Sequence, residues 1–154
     1  MAAPTLAELA WSQPLRTLEA GDVLITEGSP GGMLYVLESG RLVVERDGVA
    51  LATLTEPGAL IGEMSVLLGT DNSADVRAIG PSKVREIRDG MAFLQSQPAA
   101  LLQVATGLAT RLDNTSAIVV RLQSEHRDRP EQHSIFTRLA ASLLYGGPGD
   151  PNAP

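Results

Sequence analysis

The chain is 154 residues long, carries 18 acidic against 12 basic side chains for a net charge of −6, and contains no cysteine. This length suffices for one domain with its own core, and the missing thiol excludes a disulfide framework, a thiolate metal site and a cysteine nucleophile. The acidic balance argues against binding to phosphate backbones, so no nucleic acid contact is expected from this chain by itself.

Residues 1–13 read as a short N-terminal helical segment. Met1–Ala10 have no basic region and Glu8 interrupts the apolar residues, so no signal peptide is visible. No apolar run approaches the roughly 20 residues of a membrane span, and the expected location is the cytoplasm, without membrane contact.

Residues 14–90 alternate short β-type runs with glycine. The runs are Val23–Thr26, Met33–Glu38, Leu42–Arg46, Val49–Thr55, Ala74–Ile79 and Lys83–Ile87. Strands at such short spacing point to an antiparallel barrel or jelly roll. Asp47-Gly48 between two runs is a hairpin signal, because a type I′ turn requires positive φ at both central positions. Ser39-Gly40 marks a second turn. Aromatic residues make up only 3% of the chain, so its core must be aliphatic.

Beyond Gly90 the hydrophobic period lengthens, and residues 91–127 read as a helical subdomain. Leu101, Ala105, Leu108, Leu112, Thr115, Val119 and Leu122 recur at alternating steps of four and three, a heptad seam. The spacing predicts a helix from Pro98, a natural first-turn residue, to about Glu125. Such a helix is roughly 40 Å long, more than one small barrel can cover, so a second copy of the chain is expected on the seam. The other reading packs the helix along its own barrel, a purpose that Val104 and Ile118, off the seam, could serve. Residues 128–145 then suggest a short amphipathic helix, and the glycine- and proline-rich residues 146–154 a flexible tail.

The chemistry concentrates in Ile61-Gly62-Glu63-Met64-Ser65-Val66-Leu67-Leu68 and Asn72-Ser73-Ala74-Asp75-Val76-Arg77-Ala78. A glycine opens a short helix, and a small polar loop leads into a strand. Free N–H groups at a helix start favour an anion, and the acid after the glycine can accept from a sugar hydroxyl. By itself a Gly-Glu pair at a helix start is usually just a cap.

These residues resemble the phosphate-binding cassette of the cyclic-nucleotide-binding family. Ile61, Gly62, Glu63, Ser65, Leu67, Ala74, Val76, Arg77 and Ala78 match its usual form in type and spacing. Gly21-Asp22-Val23-Leu24, Glu27-Gly28, Leu34-Tyr35-Val36-Leu37 and Ser39-Gly40-Arg41-Leu42 are similar to the family's first strands. The resemblance implies a mainly β fold with C-terminal helices: an antiparallel β-roll or jelly-roll barrel followed by a long dimerisation helix. It implies cAMP or cGMP as the possible ligand, with no other cofactor, held by Gly62, Glu63, Met64, Ser65, Asn72, Ser73 and Ala74. Ala109–Ser116 are similar to the dimer helix of catabolite-activator-type regulators, which would set Thr115 and Ser116 toward the base.

One departure changes the chemistry. Asn72 stands where the family places its phosphate-binding arginine, and Asp71 and Asp75 add negative charge nearby. A hydrogen bond to a charged group contributes roughly 1.5–3 kcal/mol, about 10- to 150-fold in affinity. Two readings follow: a stand-alone sensor that binds a cyclic nucleotide and signals through dimerisation or an effector chain, and a ligand-free domain retained for dimerisation or partner binding.

Other classes fit less well. Only nine residues follow Tyr145, too few for the recognition helix of a DNA reader. The two histidines, His126 and His133, lie in the helical tail rather than on strands, so no metal site is expected. No serine, histidine and acid are arranged for nucleophilic catalysis, and no enzymatic activity is expected.

Overall fold

The computed structural model describes residues 2–125 together with residue 138. Its elements are α1 (Leu6–Leu9), β1 (Leu15–Leu18), β2 (Val23–Ile25), β3 (Leu34–Ser39), β4 (Leu42–Arg46), β5 (Val49–Leu54), β6 (Leu60–Ile61), α2 (Glu63–Leu68), β7 (Asp75–Ala78), β8 (Ser82–Ile87), α3 (Gly90–Ser96) and α4 (Pro98–Glu125). The strands form two four-stranded antiparallel sheets, ordered β1-β8-β3-β6 and β2-β7-β4-β5. The architecture is thus the expected β-roll, open rather than closed into a barrel. The segments over 128–145 and 146–154 lie outside the described residues apart from Arg138.

The core between the sheets is aliphatic, as the composition requires. Leu18, Leu37 and Val84 from the first sheet meet Leu42, Val76 and Ala78 from the second, joined by Tyr35. Burial pushes the Tyr35 phenol above its ordinary pKa, with the nearby Glu86 carboxylate adding to the effect. The run Leu34-Tyr35-Val36-Leu37 is buried at every position. A strand apolar on both faces must be covered on both, and α1 meets β3 while Leu34 lies beside Gly90 at the start of α3.

Turn chemistry sets the register. Asp47 and Gly48 both have positive φ, 50° and 75°, as the hairpin between β4 and β5 demands. Gly40, at φ 104°, closes the β3–β4 turn directly against the Pro81 carbonyl and Ser82. The Ser82 hydroxyl accepts from the Arg41 N–H at 3.0 Å and donates to the Gly80 carbonyl at 2.8 Å.

The N-terminal segment is fastened by side chains. Thr5 and Glu8 form a reciprocal capping box at α1, which holds the Glu8 carboxyl below the usual carboxylate range, chiefly through the Thr5 backbone N–H. The Gln103 side chain, on α4, reads the same segment from the other side. Its carbonyl accepts from the Leu6 N–H at 3.1 Å and its amide donates to the Pro4 carbonyl at 2.7 Å. One N–H that the helix itself cannot satisfy is thereby paired. Further on, the Arg85 guanidinium lies 4.7 Å from the Trp11 ring centre, donates to the Gln13 carbonyl and pairs with Glu38 at 2.6 Å.

The helix α4 begins at Pro98, where the periodicity predicts, and runs through Glu125, the last residue of the described stretch. The chain divides into two compact units between Val104 and Ala105. Of the two residues off the seam, Val104 is buried and Ile118 is 49% exposed. Along the seam, Leu101, Ala105, Leu112 and Thr115 are exposed, Leu108 and Leu122 half-buried, and Val119 buried.

Gln103→Ala is expected to cost about 1 kcal/mol and to speed hydrogen exchange in residues 2–10 about tenfold, with β3 amides unchanged. Exchange mass spectrometry checks both.

Candidate functional site

Gly62 caps α2 in a left-handed conformation, φ 88° and ψ 3°. The position also tolerates no side chain, since a Cβ there would stand 2.5 Å from the Met33 carbonyl oxygen. The Ser65 hydroxyl donates back to the Gly62 carbonyl at 3.0 Å, tightening the first turn. A second left-handed glycine, Gly69, ends the helix, and its N–H and that of Thr70 both reach the Ser65 carbonyl.

The polarity of α2 is inverted. Glu63 and Ser65 are buried beside Val66, while Met64, Leu67 and Leu68 are exposed. A buried carboxylate and a buried hydroxyl on a six-residue helix are informative, because such groups normally face water. Among the described residues no buried side-chain nitrogen or oxygen lacks a hydrogen-bond partner. The inward residues therefore sit in a satisfied polar network.

The loop before β7 is bonded to the loop between β2 and β3. The Asn72 amide donates to the Ser29 hydroxyl and the Pro30 carbonyl, both at 3.1 Å, and lies 3.3 Å from the Ser29 carbonyl. Its backbone repeats the pairing: the Asn72 N–H reaches the Ser29 carbonyl at 2.9 Å, and the Gly28 N–H reaches the Asn72 carbonyl at 2.8 Å. The Asn72 side chain is thus half-buried and bonded to the β2–β3 loop. Ser73 is exposed and Ala74 half-buried just before β7.

The neighbouring charges are also engaged. Asp75 accepts from the Glu27 N–H at 2.6 Å, and Arg77 pairs with Glu45 across the β4–β7 ladder at 2.9 Å. Thr115 and Ser116 belong to the second compact unit. Each hydroxyl donates, at 2.8 Å, to the carbonyl four residues earlier in its own helix, Arg111 and Leu112 respectively. His126 and His133 lie outside the described residues, and among the described residues no group of three His, Cys, Asp or Glu could hold a metal ion.

Sequence reasoning missed Ser29, Pro30 and Gly31. Gly31 packs on the cassette so closely that a Cβ would collide with the Thr70 carbonyl and with Ser65. The run Gly28-Ser29-Pro30-Gly31-Gly32 announces a turn, but nothing local to it announces the partner across the site.

A two-sheet roll that presents a glycine-capped helix with inward acid and hydroxyl, followed by a polar loop and strand, is the arrangement of a cyclic-nucleotide-binding-like fold. The family described as cyclic nucleotide-binding domain matches residues 15–95, and the chain belongs to that family. It is similar to Glutaminase 1 of Bradyrhizobium diazoefficiens, 37% identical over 115 residues, 73% of this chain and 18% of the relative. It is also similar to a cGMP-dependent protein kinase of Drosophila melanogaster (isozyme 2), 39% identical over 126 residues, 81% of this chain and 10% of the relative. Among solved structures it resembles the catabolite activator protein of Thermus thermophilus, with 30% identity, a TM-score of 0.66, and coverage of 78% of this chain and 60% of that one. The chain spans less than a fifth of the length of these curated relatives, 18% at most. No helix among the described residues is long and apolar enough to cross a membrane.

Gly62→Val is expected to cost at least about 2 kcal/mol, combining a left-handed backbone that a β-branched residue resists with overlap on the Met33 carbonyl. Urea denaturation of the variant against the parent measures it.

Proposed function

We propose that this chain is a non-catalytic regulatory domain of the cyclic-nucleotide-binding family in which a cyclic phosphate is not the switch. The observation that carries the reading is the direction of the Asn72 amide, spent on Ser29 and Pro30 instead of being presented to a ligand. An amide also brings no charge. The arginine of the following strand, Arg77, is held by Glu45, and Asp71 and Asp75 oppose an anion. In this reading the fold is kept for its surface and for the partner it holds, acting in the cytoplasm on an effector protein or a further segment.

A second reading is favoured by one observation: the cassette still turns Glu63 and Ser65 inward behind a left-handed Gly62. Cyclic AMP or cyclic GMP would then bind through backbone N–H groups, Glu63 on the ribose hydroxyl, and Thr115 and Ser116 on the base. Calorimetric titration with both nucleotides separates the readings. No saturable heat below millimolar ligand is expected, and a micromolar Kd, lost in Glu63→Ala, would establish the second reading instead. Asn72→Arg is expected to tighten binding at least about tenfold, by supplying the charged donor.

Output is assigned to a homodimer through Leu101, Ala105, Leu108, Leu112, Thr115, Val119 and Leu122. The reading is supported by the exposure of Leu101 and Leu112, each 42%, on a continuous 28-residue helix. Because Leu112 is exposed within one chain, Leu112→Asp leaves the protomer's own packing alone. Sedimentation is expected to show a dimer for the parent and a monomer for the variant; equal masses would dismiss the seam.

A further inference from the structure

The loop over residues 26–33, between β2 and β3, touches three parts of the site at once. Asn72 fastens it at Ser29 and Pro30 through both side chain and backbone. Glu27 ties its first part to Asp75 at the start of β7. Gly31 lets it lie directly on Ser65 and Thr70, where no side chain could fit. At its far end the Gly32 carbonyl accepts from the Gly90 N–H at 2.9 Å, at the first residue of α3. Gly90 has no spare room either: a Cβ would lie 2.7 Å from Val66 of α2, 2.8 Å from Leu34 of β3 and 2.9 Å from the Gly32 carbonyl.

The loop therefore forms a contiguous chain of close contacts from Asn72 to the start of α3, and α2 is packed against α3 beside it. Where a glycine leaves no space between the packed elements, as at Gly31 and Gly90, displacement is transmitted and not absorbed. A site in which such a loop is already bonded in place needs no ligand to order it.

We propose that Asn72 is a positioning residue, a built-in latch that holds loop 26–33 on the cassette and thereby sets the start of α3 without any bound molecule. The inference rests on the reading that a cyclic phosphate is not the switch. It goes beyond that reading by giving the residue at the vacated position a task of its own. The latch works through donated hydrogen bonds, since all three atoms facing the amide nitrogen are oxygens: the Ser29 carbonyl and hydroxyl and the Pro30 carbonyl. Only a donor satisfies them.

Hydrogen exchange of the full chain tests the latch. In Asn72→Ala, peptides covering 27–32 and 90–96 are expected to exchange at least tenfold faster together, while β1 and β8 keep their protection. Asn72→Asp, equal in size but unable to donate, is expected to reproduce that pattern. If Asn72→Ala does not fold, Ser29→Ala removes one acceptor of the amide, together with the hydroxyl's own bond to the Thr26 carbonyl, and is expected to give the same pattern at smaller amplitude. A merely structural role would lower protection everywhere in proportion, and that result overturns the latch. Unchanged exchange over 90–96, or parent-like protection in Asn72→Asp, overturns it as well. Titration of the parent protein judges the underlying reading separately: micromolar binding of cyclic AMP would end that reading, and the exchange pattern would still decide the latch.

Discussion

The structure depends on β3 being covered on both faces. Tyr35 and Leu37 meet the second sheet, while Leu34 lies beside Gly90. A strand buried on both sides obliges the chain to supply cover from outside the two sheets. That cover comes from α1, pinned by its capping box and by Gln103, and from the start of α3. The same constraint brings α3 within reach of the β2–β3 loop, so the packing of the core and the geometry of the cassette are one problem. Full burial of a leucine contributes roughly 1.5–3 kcal/mol, more than a typical neutral hydrogen bond such as those of the Asn72 amide. The polar arrangement is accordingly placed by the core and then refined by its own bonds.

Within that frame the site shows a division of polarity. The short helix α2 buries an acid and a hydroxyl and exposes a methionine and two leucines. Burying a carboxylate is costly unless its bonds are satisfied, and the described residues leave no buried side-chain oxygen without a partner. The short helix thus keeps its glycine cap and its inward polar residues together. Asn72, in the loop that follows, is a neutral amide bonded to the oxygens of Ser29 and Pro30.

Much of this was legible in the sequence, for reasons that are local. Asp47-Gly48 specified a hairpin because only such residues accept two positive φ values, and Pro98 marked the start of α4 because it suits a first helical turn. Elements too short to show a period were not singled out: β1 has four residues, β6 two and α3 seven. The left-handed cap at Gly62 could be expected from its place before Glu63. The use of Asn72 could not, since its partners lie 42 and 43 residues away and no pattern near position 72 points to them.

Trp11 is the chain's single tryptophan, and it stands 66% exposed with the Arg85 guanidinium against its ring. Its neighbours are the N-terminal segment and the surface of β8, not the aliphatic core. The intrinsic fluorescence of the protein is therefore a local optical gauge, set by the cation beside the indole and by water around it. Its emission follows the fastening of the first dozen or so residues to β8, and melting of the roll registers only through the loss of Arg85 from the ring.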